Sequence, residues 1–131
     1  MTPDYAEDFS DVAWIEEGRR LPHVVEDLIE HLEREDLAHP STDAPRLAVA
    51  LGVLGDRRPR GVDALIRALG TRDLLLRLEA TIALTLQGNI RALPALEKLL
   101  RDTAEDSNVR VNACAAIDAI GPSTPGSVAV L

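Results

Sequence analysis

The segment Arg77-Leu78-Glu79-Ala80-Thr81-Ile82-Ala83-Leu84-Thr85-Leu86-Gln87-Gly88 decides the fold, because it returns. Its second copy is Arg110-Val111-Asn112-Ala113-Cys114-Ala115-Ala116-Ile117-Asp118-Ala119-Ile120-Gly121. A degenerate copy, Ala44-Pro45-Arg46-Leu47-Ala48-Val49-Ala50-Leu51-Gly52-Val53-Leu54-Gly55, precedes both. The closing glycines Gly55, Gly88 and Gly121 fall 33 residues apart each time. Self-similarity at a fixed period of this length marks a repeat architecture, in which one unit cannot bury its apolar face without its neighbours. Within a copy, Leu76, Ala80, Ala83, Leu84 and Gln87 fall on one helical stripe. The glycine that follows is the residue that ends a helix most cheaply.

Working outward, each copy reads as the first of two helices. After Gly88, a second helix is expected over 92–101, with Pro94 in its first turn and Leu93, Leu96, Leu99 and Leu100 as its stripe. The first copy gives helices over 44–54 and 62–69, joined by the loop Arg57-Arg58-Pro59-Arg60. Asp43 is placed to cap the helix at Ala44. Upstream, 24–32 reads as a second-type helix, with Leu28 and Leu32 matching Leu65 and Leu69, and Leu96 and Leu100. Its partner would span 5–18 and end at Gly18. The chain is then all-α, about seven helices in three and a half pairs. We expect one domain over residues 1–121, with an acidic capping region at 1–38 and clear repeats at 44–121. Residues 122–131, rich in Pro, Ser and Gly, read as a flexible tail whose Val128, Val130 and Leu131 can dock on the last helix.

At 131 residues the chain has the length of one domain. Its single cysteine, Cys114, excludes an internal disulfide framework and occupies a small, buried-type position of the repeat. No apolar export core opens the sequence and no apolar run is long enough to span a bilayer, so a cytoplasmic protein is expected. The net charge of −8 is uneven. Residues 1–36 hold twelve acidic side chains against Arg19, Arg20 and Arg34, a net of −9, and the remaining residues sum to +1. So acidic an end repels nucleic acid and anionic membrane and attracts a basic protein surface. Thirteen Arg to one Lys, with abundant Ala and Leu, resembles a GC-rich bacterial coding sequence.

The frame Arg-x-x-Ala-x-x-Ala-Leu-x-x-x-Gly, followed by Pro-Ala-Leu-x-x-Leu-Leu, resembles HEAT repeats, particularly the short class of phycobilisome-lyase-like proteins. The resemblance covers about residues 44–121 and extends weakly to 22. It implies a right-handed α-solenoid of three to four helix pairs whose second helices line a concave face. It also implies an Asp–Arg ladder along the seam between repeats. Asp73 lies four residues before Arg77, and Asp106 four before Arg110. Ankyrin repeats share the period but need a Thr-Pro-Leu-His turn, and tetratricopeptide repeats need aromatic positions that this chain lacks after Trp14.

Catalytic chemistry is hard to find. There is no glycine-rich phosphate loop, no His-Glu-x-x-His, no Cys pair and no nucleophile elbow. Asp27, His31 and Glu35 share a metal-compatible helical spacing, but a solvated acidic helix explains them. We therefore expect no enzyme, no metal and no cofactor. Arg57, Arg58 and Arg60 form the best basic cluster, too short and too poor in aromatics to track a phosphate backbone. Tyr5, Phe9 and Val12 share a face of a capping helix, while Trp14 points elsewhere and is a candidate exposed anchor.

Aligning the second helices stacks Glu26 with Asp63, Glu30 with Arg67 and Lys98, and Glu33 with Arg101. These residues are expected to line the groove, acidic at its N-terminal end and basic at its C-terminal end. The expected function is a non-catalytic scaffold for one protein partner with a basic surface, an immunity protein that neutralises a bacterial toxin being one concrete form. The repeat type suggests an alternative, a pigment-lyase or chaperone-like subunit working with a second solenoid chain. Nucleic-acid binding is the least favoured reading.

Overall fold

The computed structural model describes residues 11–54 and 58–121, and every regular element among them is helical. In chain order these are α1 (Asp11–Arg20), α2 (Pro22–Glu33), α3 (Ala44–Leu54), α4 (Pro59–Ala68), α5 (Leu74–Gln87), a 3-10 turn (Ile90–Ala92), α6 (Leu93–Arg101) and α7 (Ser107–Ile120). The three motif copies are α3, α5 and α7. With α1 they pack side by side in one row. The helices α2, α4 and α6 form the second row, each lying against the first-row helix that follows it. This is an α-solenoid in which each first-row helix packs on the next and each second-row helix packs on the first-row helix that follows it.

The rows meet on small residues and leucines. Ala48, Ala80, Ala83, Ala113 and Ala116 are fully or almost fully buried, and so are Leu65 and Leu96 of the second row. Alanines let the first-row helices come close, and each buried leucine contributes about 2 kcal/mol. The closest approach is at Gly52, where a Cβ would stand 2.6 Å from the Ala83 Cα. α5 shows how the ends are made. The Asp73 carboxylate accepts from the Leu75 and Leu76 N–H groups, and Gly88 closes the helix in the left-handed region at φ 64°.

Several boundaries differ from expectation. α4 begins at Pro59, three residues before the expected start, since proline is preorganised for the first helical turn. Arg60 therefore sits on a helix and not in a loop. α1 continues past Gly18 to Arg20, and Gly18 packs on Leu54, whose Cδ1 would lie 2.7 Å from an added Cβ. Gly121 is extended, at φ −80° and ψ 158°, not left-handed. Pro122 follows it, and the residue before a proline is driven toward extended backbone. Trp14 is half-buried and packs against the core. Gly55, Arg57, Tyr5, Phe9, the Val12 side chain and the 122–131 tail lie outside what the structure describes.

Candidate functional site

The second-row face holds most of the residues that sequence reasoning singled out. On α2, Glu26, Glu30 and Glu33 project at helical spacing toward the first turn of α4. There Arg60 meets all three. Its Nε lies 2.9 Å from Glu33 Oε2, its Nη2 2.7 Å from Glu33 Oε1, and its Nη1 3.1 Å from Glu26 Oε2. Glu30 Oε1 stands 3.8 Å from the same guanidinium. Arg58 pairs with the other oxygen of Glu26. The hydrogen bond from Arg60 holds the Glu33 carboxyl below its ordinary range, and the Arg60 pKa is raised in return. One helix on, Asp63 is clasped by Arg91 of the 3-10 turn at 2.6 and 3.0 Å, which lowers the Asp63 pKa.

The ion pairs do not follow the repeat alignment. Glu26 pairs with Arg58 and Arg60. Glu30 pairs with Arg60 and Arg34, not Arg67 or Lys98. Glu33 pairs with Arg60, not Arg101. The cause is the early start of α4, which carries Arg60 onto the face beside α2, while Lys98 and Arg101 lie one helix further along. Arg67 donates to the main-chain carbonyls of Glu33 and Glu35 at 3.2 and 3.3 Å. Of the basic cluster, Arg58 and Arg60 are both engaged by carboxylates.

The C-terminal half of the face is different. α2 and α4 pack side by side, whereas α4 and α6 stand further apart. Between them runs a groove of about 340 Å³. Ile66, Leu69, Ala95 and Leu99 supply its apolar wall, and Arg67 and Lys98 its rim. A second hollow of about 480 Å³ opens on the other side of Lys98, lined by Pro94, Glu97, Arg101 and Asp102. Among the described residues, neither Lys98 nor Arg101 has a carboxylate within 4.0 Å. Two nearby acids are occupied. Glu105 is held by Arg77, and Asp102 accepts from the Ala104 N–H. Asp102 and Glu105 also line the groove, and Glu97 lines the second hollow, so each holds two basic and two acidic side chains.

The seam between repeats also departs from the expected ladder. Asp73 and Asp106 are N-caps, Asp106 accepting from the Asn108 N–H at 2.8 Å. In each it is Oδ1 that accepts from main-chain donors, and among the described residues no ion pair joins either aspartate to Arg77 or Arg110. Arg77 instead grips Glu105 and donates to the Thr71 and Arg72 carbonyls. Arg110 donates to the Leu100 carbonyl at 3.1 Å. Both arginines therefore satisfy main-chain carbonyls near the C-terminal end of a second-row helix, where such groups lack intrahelical partners.

Cys114 is buried, and burial pushes its thiol pKa up, as expected of a packing residue. Among the described residues no three His, Cys, Asp or Glu side chains are grouped to hold a metal ion, and no helix is long and apolar enough to cross a membrane. Sequence reasoning missed Arg91 and Glu105, which lie in irregular segments with no period to flag them. It also missed the outward side of α5, which carries Leu75, Leu78, Ile82 and Leu86 together with Glu79.

Two rows of antiparallel helices repeated along one axis define a helical-repeat scaffold. A family model for HEAT repeats matches residues 25–117, most of the chain, and the protein belongs to the HEAT-repeat family. A search of curated proteins finds no match.

Proposed function

We propose that this protein is a non-catalytic protein-binding module whose second-row face receives a segment of one partner in the groove between α4 and α6. HEAT repeats commonly serve as protein-interaction scaffolds. The observation that carries the reading is the pairing pattern on this face. Glu26, Glu30, Glu33 and Asp63 are matched by arginines of the same chain, while among the described residues Lys98 and Arg101 form no ion pair with a carboxylate. A basic partner, such as a toxin domain to be masked, would have to displace Arg58, Arg60 and Arg91 first. An acidic segment with an apolar side chain meets free cations and the wall formed by Ile66, Leu69 and Leu99. Such charge matching sets specificity and association rate more than affinity.

Panning a random peptide library on the immobilised full chain tests this. Acidic peptides with an apolar anchor are expected, with binding lost in Lys98→Glu/Arg101→Glu and kept in Glu26→Gln. Selection of basic peptides, or binding indifferent to the Lys98 and Arg101 reversal, would overturn it.

A further inference from the structure

The groove between α4 and α6 carries charge of both signs, and the chain itself engages only part of it. Glu105 is spent on Arg77 of α5. Arg67 meets the Glu33 and Glu35 carbonyls, which are uncharged, so its positive charge is not cancelled there. Lys98 and Asp102 sit one helical turn apart, a spacing at which opposite charges can pair. Their side chains nevertheless do not meet within 4.0 Å. Asp102 turns Oδ1 to the Ala104 N–H at 2.9 Å, and among the described residues nothing donates to its Oδ2. In the repeat alignment Arg67 and Lys98 hold the same position of successive second-row helices. Two cations therefore stand on the two walls of the groove at one level, with Asp102 one turn further along. The apolar side chains of Leu69 and Leu99 lie between these levels.

We propose that Asp102 is a second charge reader of this groove. The partner segment then carries an acidic side chain for Arg67 and Lys98, a basic one for Asp102 about one helical turn away, and an apolar one between them. This rests on the groove being the docking site. A segment laid over Leu69 and Leu99 takes water from the Asp102 carboxylate, and a carboxylate that loses water without gaining a partner is costly. A basic side chain supplies that partner. An acidic one at the same place is repelled, so Asp102 rejects uniformly acidic segments as well as favouring mixed ones. Side chains one turn apart are separated by about 5–6 Å. That is inside the Debye length, about 10 Å at 0.1 M salt, so both charges act on one occupant together. The same span is covered by residues four apart in a helix or two apart in an extended segment.

Panning one random peptide library on the full wild-type chain and on Asp102→Lys is the test. From the wild type we expect an acidic and an apolar position accompanied by Lys or Arg at a fixed offset. From Asp102→Lys the same acidic and apolar positions should return with Glu or Asp at that offset. Should the reversal fail to fold, Asp102→Asn keeps an Oδ1 acceptor for the Ala104 N–H and removes only the charge. A peptide selected on the wild type should bind Asp102→Asn about three- to fivefold more weakly, while the same peptide with its basic residue changed to Gln should bind both proteins alike. An acidic and apolar consensus without a basic position, or a basic position indifferent to both substitutions, overturns this inference and leaves the groove reading standing. Absence of any acidic and apolar consensus on the wild type overturns both, and is the result expected if a second copy of the chain fills the groove.

Discussion

Arg77 and Glu105 join two successive repeats through a nearly buried, two-pronged ion pair, with Nη2 to Oε1 at 2.9 Å and Nε to Oε2 at 3.0 Å. Glu105 is 6% exposed and Arg77 19%. Arg77 also binds two carbonyls of the loop after α4, and Glu105 accepts from the Asp106 N–H at 2.8 Å, so the pair fastens one interhelical loop to the next. Removing either partner strands the other out of water. We expect Glu105→Ala and Arg77→Ala each to cost about 2–3 kcal/mol, a little below the figure for a fully buried pair. Arg67→Ala, which loses only exposed contacts to carbonyls, should cost under about 1 kcal/mol. Urea melts of the three variants decide this, and equal losses at Arg67 and Arg77 would contradict the assignment.

Gly52 sets how closely α3 and α5 approach. Alanine is the better helix former by about 1 kcal/mol. Here its Cβ would lie 2.6 Å from a backbone carbon and 2.7 Å from the Ala83 Cβ, neither of which can swing aside. The two helices would have to separate, and overpacking of this kind costs about 1–3 kcal/mol. Gly52→Ala should therefore lower the melting temperature despite its propensity gain, and Ala83→Gly should partly rescue it. A melting temperature that rises in Gly52→Ala would mean that the contact relaxes freely.

The repeat was legible because its signals are local. The Ala and Leu spacing of the three motif copies and the closing glycine of α5 depend on one helix at a time, and they fixed the row of α3, α5 and α7. The leucines of α2, α4 and α6 were legible for the same reason. Pairing across helices was not. Whether Glu33 meets Arg60 or Arg101 depends on where α4 starts, and Pro59 moved that start by three residues. Asp73 can cap a helix or pair with Arg77 at one and the same spacing, and the spacing does not choose between them. Glu105 sits in a turn without a period. On α5 the buried stripe is the more regular one, and Leu75, Leu78, Ile82 and Leu86 fall outside it.

The carboxyls of Glu33 and Asp63 give a sign to the acid response. Both are held below their ordinary values of 4.5 and 3.8 by hydrogen-bonded guanidinium groups. On acidification the unfolded chain therefore takes up these protons first. The stabilisation is fully present above the ordinary values and is lost as pH falls through the lower folded-state values. The melting temperature should be flat from neutral pH to about pH 5 and fall below about pH 4. Arg60→Ala returns Glu33 toward its ordinary value, so its decline should be shallower. Both groups are well exposed, so the difference should shrink with added salt. Acid melts of Arg60→Ala running parallel to the wild type would show that Glu33 and Arg60 are not coupled in solution.

The two halves of the second-row face should respond oppositely to charge reversal. Glu26→Lys/Glu30→Lys breaks pairs with Arg58 and Arg60 inside the chain. It should lower the melting temperature slightly, because exposed pairs contribute only about 0–1 kcal/mol each. Lys98→Glu/Arg101→Glu breaks no ion pair and should leave the melt almost unchanged. In stopped-flow association with an acidic peptide selected on the wild-type chain, the Lys98 and Arg101 reversal should slow the on-rate by roughly tenfold or more, with the larger effect at low salt. The Glu26 and Glu30 reversal should leave that rate nearly untouched, since α2 lies a full helix away from the groove between α4 and α6. An on-rate that falls with the α2 reversal and not with the α6 reversal would move the docking site to the N-terminal half. The Arg58 and Arg60 pairs would then have to open for a partner to bind.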